Sequence, residues 1–140
     1  MVKKKAVRTK AFSRPEKFGP IYSQGLIVPS EGSLLFTTGM AAFNPDGSFH
    51  APGDAAAQSR RIFEQMEALI EEAGGTIQDI VKMTVYVADR TDIPAIQRVR
   101  DSIWTKDPPV SATIQVILNP EIKVEIDAIA VVPNAVESRG

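Results

Sequence analysis

Apolar and polar positions alternate most sharply between Pro108 and Val132. Ala112, Ile114, Val116 and Leu118 take every second place against Ser111, Thr113 and Gln115, the period of two of a strand with unlike faces. Asn119-Pro120-Glu121 is a turn-type cluster. Beyond it Val124, Ile126, Ala128 and Ala130 alternate with Glu125, Asp127, Ile129 and Val131. The stretch predicts two strands joined by a turn. The second strand carries two carboxylates, Glu125 and Asp127, on one side, and its other side is wholly apolar. The acid-bearing side turns apolar at Ile129 and Val131, which suits a sheet margin, a cleft or a subunit boundary.

The same patterning runs upstream. Residues 1 to 18 lack periodicity and predict an irregular arm or a short first strand. Gly19-Pro20 punctuates the chain before a strand at Ile21 to Val28, and Ser33 to Gly39 reads as its antiparallel hairpin partner. Asn44-Pro45-Asp46-Gly47 is a turn. Asp54 is placed to cap a helix whose stripe is Ile62, Phe63, Met66, Leu69, Ile70 and Ala73, closed by Gly74-Gly75. Val81, Met83, Val85 and Val87 alternate with Lys82, Thr84 and Tyr86, a half-buried strand over 80–87. Thr91-Asp92 signals a cap, Pro94 suits a first turn, and Ile93, Ile96, Val99 and Ile103 form a second helical stripe closed by Trp104. Asp107-Pro108-Pro109 predicts an extended lead into the next strand. Residues 133 to 140 read as a frayed tail. Strands, helix, strand, helix, strands make an α+β domain over 19–132, with both helices on one face of a mixed, mainly antiparallel sheet. The other face carries enough apolar material to predict self-association.

Composition narrows the function classes. A chain of 140 residues fits one domain with one core. Sixteen basic against seventeen acidic side chains argue against dedicated nucleic-acid binding, the more so because Lys3, Lys4, Lys5, Arg8 and Lys10 crowd the first ten positions. There is no cysteine, so disulfides, thiolate metal sites and cysteine nucleophiles are excluded. No apolar run approaches the roughly 20 residues of a membrane span, and no apolar segment of signal type follows the basic N-terminus. A cytoplasmic protein is the expectation.

His50, the single histidine, sits in a loop and cannot by itself build a multi-histidine zinc site. Neither a phosphate loop nor a dinucleotide fingerprint is present. No metal or organic cofactor is expected. Glu125 and Asp127 are the sharpest local clue. Two acids sharing a strand face can raise the pKa of one, which suits general acid/base work on a small substrate. A structural pair, one acid hydrogen-bonded and the other solvated, fits the same pattern.

Four ordered segments, Gly19-Pro20-Ile21-Tyr22-Ser23-Gln24-Gly25, Asp79-Ile80-Val81-Lys82-Met83-Thr84-Val85-Tyr86-Val87-Ala88-Asp89, the Pro108 to Val116 stretch and Lys123 to Val131, together resemble the RidA/YjgF family of reactive-intermediate deaminases. The resemblance runs from about Gly19 to Val132. It implies a chorismate-mutase-like fold assembled as a homotrimer, with small-molecule clefts between subunits. It also implies that Glu125, aligned with the first acid of the family's Glu-Ile-Glu motif, positions or activates water. Tyr22 matches the motif tyrosine, with Ile21 inserted before it. Thr38 and Gly39 match a pocket-lining Ser-Gly pair, Gln97 stands where a cleft asparagine is common, and Thr113 where a cysteine or other small residue is found.

One departure outweighs these matches. The family's enzymes carry an arginine in a Pro-x-Arg pattern, and here Ser111 follows Pro109-Val110. A guanidinium grips a carboxylate bidentately, and Ser111 offers one neutral hydroxyl. The resemblance therefore implies a hydrolytic deaminase of small enamines or imines with an atypical substrate. A non-catalytic metabolite binder using the same cleft is the alternative. Endoribonuclease or translation-inhibitor activity, attributed to some relatives, fits the charge balance poorly. Whether Arg100, one helical turn after Gln97, reaches the cleft in the arginine's stead is left open by the sequence.

Overall fold

The computed structural model describes residues 3–7, 23, 25–29 and 31–133. Eight elements follow in order: β1 (Lys5–Val7), β2 (Gly25–Ile27), β3 (Ser33–Phe36), α1 (Ala55–Glu72), β4 (Ile80–Val87), α2 (Ile93–Ile103), β5 (Val110–Gln115) and β6 (Val124–Val132). β1 and β2 form an antiparallel ribbon, and the other four strands form a sheet in the order β3-β6-β4-β5. Only β4 and β5 run parallel. The architecture is α+β with a mixed sheet, as the element order predicts.

Both helices cover one face of this sheet. Ile62, Phe63, Met66 and Ile70 of α1 and Ile96 and Val99 of α2 pack on Ile80, Met83, Val85, Val87, Val124, Ile126, Ala128 and Ala130. Trp104 closes the core edge-on against Phe63, with ring centroids 5.3 Å apart. Asp54 caps α1 by accepting from the Ala57 amide at 2.9 Å, and the Gly75 amide reaches back to the Ile70 carbonyl at 2.9 Å to end it. A Cβ on Gly75 would stand 2.6 Å from Val132 Cγ1, so helix end and strand meet too closely for any other residue. Lys4 fastens β1 to the domain, its Nζ donating to the Gln78 and Ile80 carbonyls at 2.7 and 3.1 Å.

Four sequence expectations change. β5 and β6 are not hairpin partners, because β4 lies between them. β2 pairs with β1 and β3 with β6, so those two strands form no hairpin either. On β4 a register shift between Ile80 and Lys82 gives Ile80, rather than Val81, the core position. Asp107 has φ 48°, so the extended lead begins only at Pro108; aspartate tolerates this left-handed turn better than most residues. The cap signalled at Thr91-Asp92 holds in position, since Asp92 is the N-cap of α2, but its side chain makes no cap bond and pairs with Lys123 at 3.2 Å, while Asp89 caps the short turn before it.

Candidate functional site

Paired residues in a sheet share a face. Glu125 pairs with Tyr86 and Asp127 with Thr84, so both acids lie on the face away from the helices. The margin above them is shaped by Thr37. Its amide donates to the Ala128 carbonyl at 2.9 Å, but its hydroxyl, not its carbonyl, accepts from the Ala128 amide at 2.9 Å. The same hydroxyl donates to the Thr38 carbonyl at 2.9 Å. The regular ladder stops there, and Thr38-Gly39 passes over Glu125 before Met40 rejoins Ile126. A Cβ on Gly39 would stand 2.5 Å from Glu125 Oε1, so glycine leaves the space in which the carboxylate rests. Thr38 is exposed beside it.

Asp127 has a different occupation. Its Oδ2 accepts from the Tyr86 hydroxyl at 3.0 Å. That hydrogen bond, with a smaller push from burial and from the Asp127 and Glu125 charges, raises the Tyr86 phenol above its ordinary range. The acids thus divide as the structural-pair alternative describes for Asp127, and Glu125 is left at the margin. With Tyr22→Phe leaving a single phenol, absorbance titration should find Tyr86 ionising above the ordinary value, and Asp127→Ala should lower it. A raised phenol pKa contributes stability below the unfolded value and loses it as pH climbs through the folded one. An unchanged titration in Asp127→Ala would remove the coupling.

A second cluster forms at the head of β5. Ser111, Thr113 and Gln115 pair with Met83, Val85 and Val87, so they lie on the helix side of the sheet, opposite to Glu125. Met83, Val85 and Val87 are fully buried, whereas Thr113 and Gln115 are exposed, so the helical layer stops short of this edge strand. Arg100 spans the gap, its Nη2 donating to Ser111 Oγ at 2.8 Å. Burial pulls the guanidinium below its ordinary pKa, and Asp101 pulls it back up. Gln97 is half-buried one turn earlier on α2. Ser23 donates to the Pro108 carbonyl at 2.5 Å, tying that serine to the lead into β5. Tyr22 lies outside the described residues.

The structure therefore joins Gly39 to Glu125 and Arg100 to Ser111, and it holds these two pairs on opposite faces of one sheet. Thr37 and Tyr86 were not singled out by motif. Tyr86 was detectable in principle, since it shares the outward period of β4 with Lys82 and Thr84. The outer face carries exposed apolar residues at both edges of the sheet, Leu34 and Phe36 of β3 and Ile114 of β5 being 64%, 66% and 45% exposed, with the polar Thr84 and Tyr86 of β4 between the acids and Ile114. Among the described residues no group of three or more His, Cys, Asp or Glu side chains comes together to hold a metal. No described helix is long and apolar enough to cross a membrane. His50 is engaged in its loop, Nδ1 lying 2.9 Å from Asn44 Oδ1.

The Endoribonuclease L-PSP family profile matches residues 13–132. The 2-iminobutanoate/2-iminopropanoate deaminase of Escherichia coli K12 is 34% identical over 121 residues, covering 84% of this chain and 91% of that one. Escherichia coli TdcF, solved with bound serine, superposes with a TM-score of 0.64 at 34% identity, over 81% of this chain and 88% of that one. The Rid-family protein YyfB of Yersinia pestis superposes with a TM-score of 0.78 over 92% of this chain and 98% of its own, and at 23% identity it speaks for the fold alone. With a family profile spanning nearly the whole domain and curated relatives matched over most of their length, the chain belongs to the RidA/YjgF (endoribonuclease L-PSP) family.

Proposed function

We propose that this protein hydrolyses small imines and their enamine tautomers, working at clefts between the subunits of a homotrimer. The observation that carries the reading is the Glu125 carboxylate resting against Gly39 at the end of the β3–β6 ladder. A carboxylate so held can take a proton from water as its oxygen adds to the C=N carbon. It can pass that proton to nitrogen to give the carbinolamine, then take the hydroxyl proton and deliver it to the departing nitrogen as the C–N bond breaks, so that 2-iminopropanoate and water become pyruvate and ammonia. The deaminase relative at 34% identity supports the same chemistry. The exposed apolar residues of the outer face support assembly. Since Glu125 and Ser111 lie on opposite faces of one sheet, a cleft using both takes them from two copies of the chain.

Ser111 supports a second reading, a binder without turnover, because the usual carboxylate grip is absent. Losing one partner of a buried charge pair costs about 2–5 kcal/mol, or roughly 30- to several-thousand-fold in affinity. The test is pyruvate and ammonia release from freshly generated 2-aminoacrylate, with sedimentation alongside. A trimer of the 15.2 kDa chain with turnover at a raised KM, relative to arginine-bearing family members, is expected. A ligand-retaining trimer with no turnover would favour the binder. Monomer at micromolar concentration would take away the shared cleft.

A further inference from the structure

Arg100 ends up in an unusual place for a cation. It is 4% exposed, on the core-facing side of α2, yet its Nη2 reaches the edge strand and donates to Ser111 Oγ at 2.8 Å. A hydroxyl has two acceptor lone pairs and a single hydrogen. Arg100 occupies one lone pair, which turns the hydrogen of Ser111 away from the guanidinium. Among the described residues nothing accepts that hydrogen. A donor backed by a positive charge is polarised and gives a stronger hydrogen bond than a bare hydroxyl. Two residues further along, on the same face, Thr113 is exposed.

We propose that Arg100 orients and polarises the Ser111 hydroxyl so that the pair holds the carboxylate of a small imino acid. Ser111 touches the ligand and Arg100 is a positioning residue behind it. The assignment rests on the deaminase reading for its ligand class, since an imino acid is the anion that reading brings to the cleft. It differs from a direct arginine clamp in geometry. The charge stays buried at the strand's helix side, and only a short neutral side chain faces the ligand.

The test uses the purified full chain and two stable probes, 2-oxobutanoate and its neutral amide, titrated calorimetrically into wild type, Ser111→Ala, Arg100→Met, Arg100→Lys and the Ser111→Ala/Arg100→Met double variant. Hydrogen bonds assisted by a charge are worth enough that Ser111→Ala and Arg100→Met should each weaken the acid about tenfold or more. The double variant should be no worse than Ser111→Ala, because the two act through one contact. Arg100→Lys should recover most of the loss, and the amide should respond weakly throughout. KM for 2-iminobutanoate should follow the acid's affinity, with kcat little changed. A folded Arg100→Met protein that binds the acid as wild type does, or loses acid and amide equally, would overturn the assignment, as would a wild type that binds no acid. Should Arg100→Met fail to fold, undiminished acid binding by Ser111→Ala overturns it just as well. Acid binding that depends on Arg100 without any imine turnover keeps the assignment and sinks the deaminase reading. Turnover indifferent to both residues does the reverse.

Discussion

Gly39→Ala should remove most turnover while leaving the fold and its assembly intact. The new Cβ would stand 2.5 Å from Glu125 Oε1, and that oxygen is the far end of a flexible side chain, so it swings aside at small cost. A displacement of about 1 Å at a reacting group can cost about 100-fold in rate. Glu125→Gln keeps the shape and removes the base, and the expected loss is about 10²–10⁴-fold. Thermal melts and sedimentation of both variants should match wild type. Imine hydrolysis at the wild-type rate by a folded Gly39→Ala protein would mean that the seated carboxylate does not act in the reaction.

Gln58→Leu should be the most damaging single change to stability outside the apolar core. The Gln58 side chain is 1% exposed. Its amide nitrogen donates to the Glu121, His50 and Ala51 carbonyls at 2.9, 3.1 and 3.3 Å, and its Oε1 accepts from the Lys123 amide at 2.8 Å. One helical residue thereby ties two loops to each other. Leucine is close in volume but leaves those part-buried backbone groups unmatched, at about 1–3 kcal/mol for each that finds no water. A total near 3 kcal/mol lowers the Tm of a chain this size by about 10 °C, measured at matched concentration because assembly shifts Tm too. Lys123 precedes Glu125 by two residues, so activity should fall before the domain melts. A melt within a degree or two of wild type would show that the loops hold themselves.

Both helices, their stripes and the outward pairing of Glu125 with Asp127 are legible in the sequence, because each follows from a local period. The strand partners are not. Asn119-Pro120-Glu121 signals a turn correctly, but a turn says nothing of whether the strands beside it meet, and the parallel pairing of β4 with β5 inserts β4 between them. The Val81 register shift is invisible for the same reason, since it is set by the partner strand. Of the candidate site, Glu125 with Gly39 was legible only through motif resemblance. The Arg100–Ser111 contact joins a helix face to a strand edge, and no periodicity within either element encodes it. Likewise Thr37 reads as an ordinary strand residue until its hydroxyl is seen in place of a backbone acceptor.

The pairing of β3 with β6 brings Ser33 to Val132 and Phe36 to Ile129, across almost the full described length of the chain. The β4–α2–β5 segment closes over a far shorter contour. Loop-closure entropy and contact order therefore place the segment with Arg100 and Ser111 early in folding, and the ladder that seats Gly39 on Glu125 late. A nascent chain is therefore expected to form the anion-facing corner before it has any seated carboxylate. By that ordering, the chemistry that would make the protein reactive is expected to be the last thing it acquires.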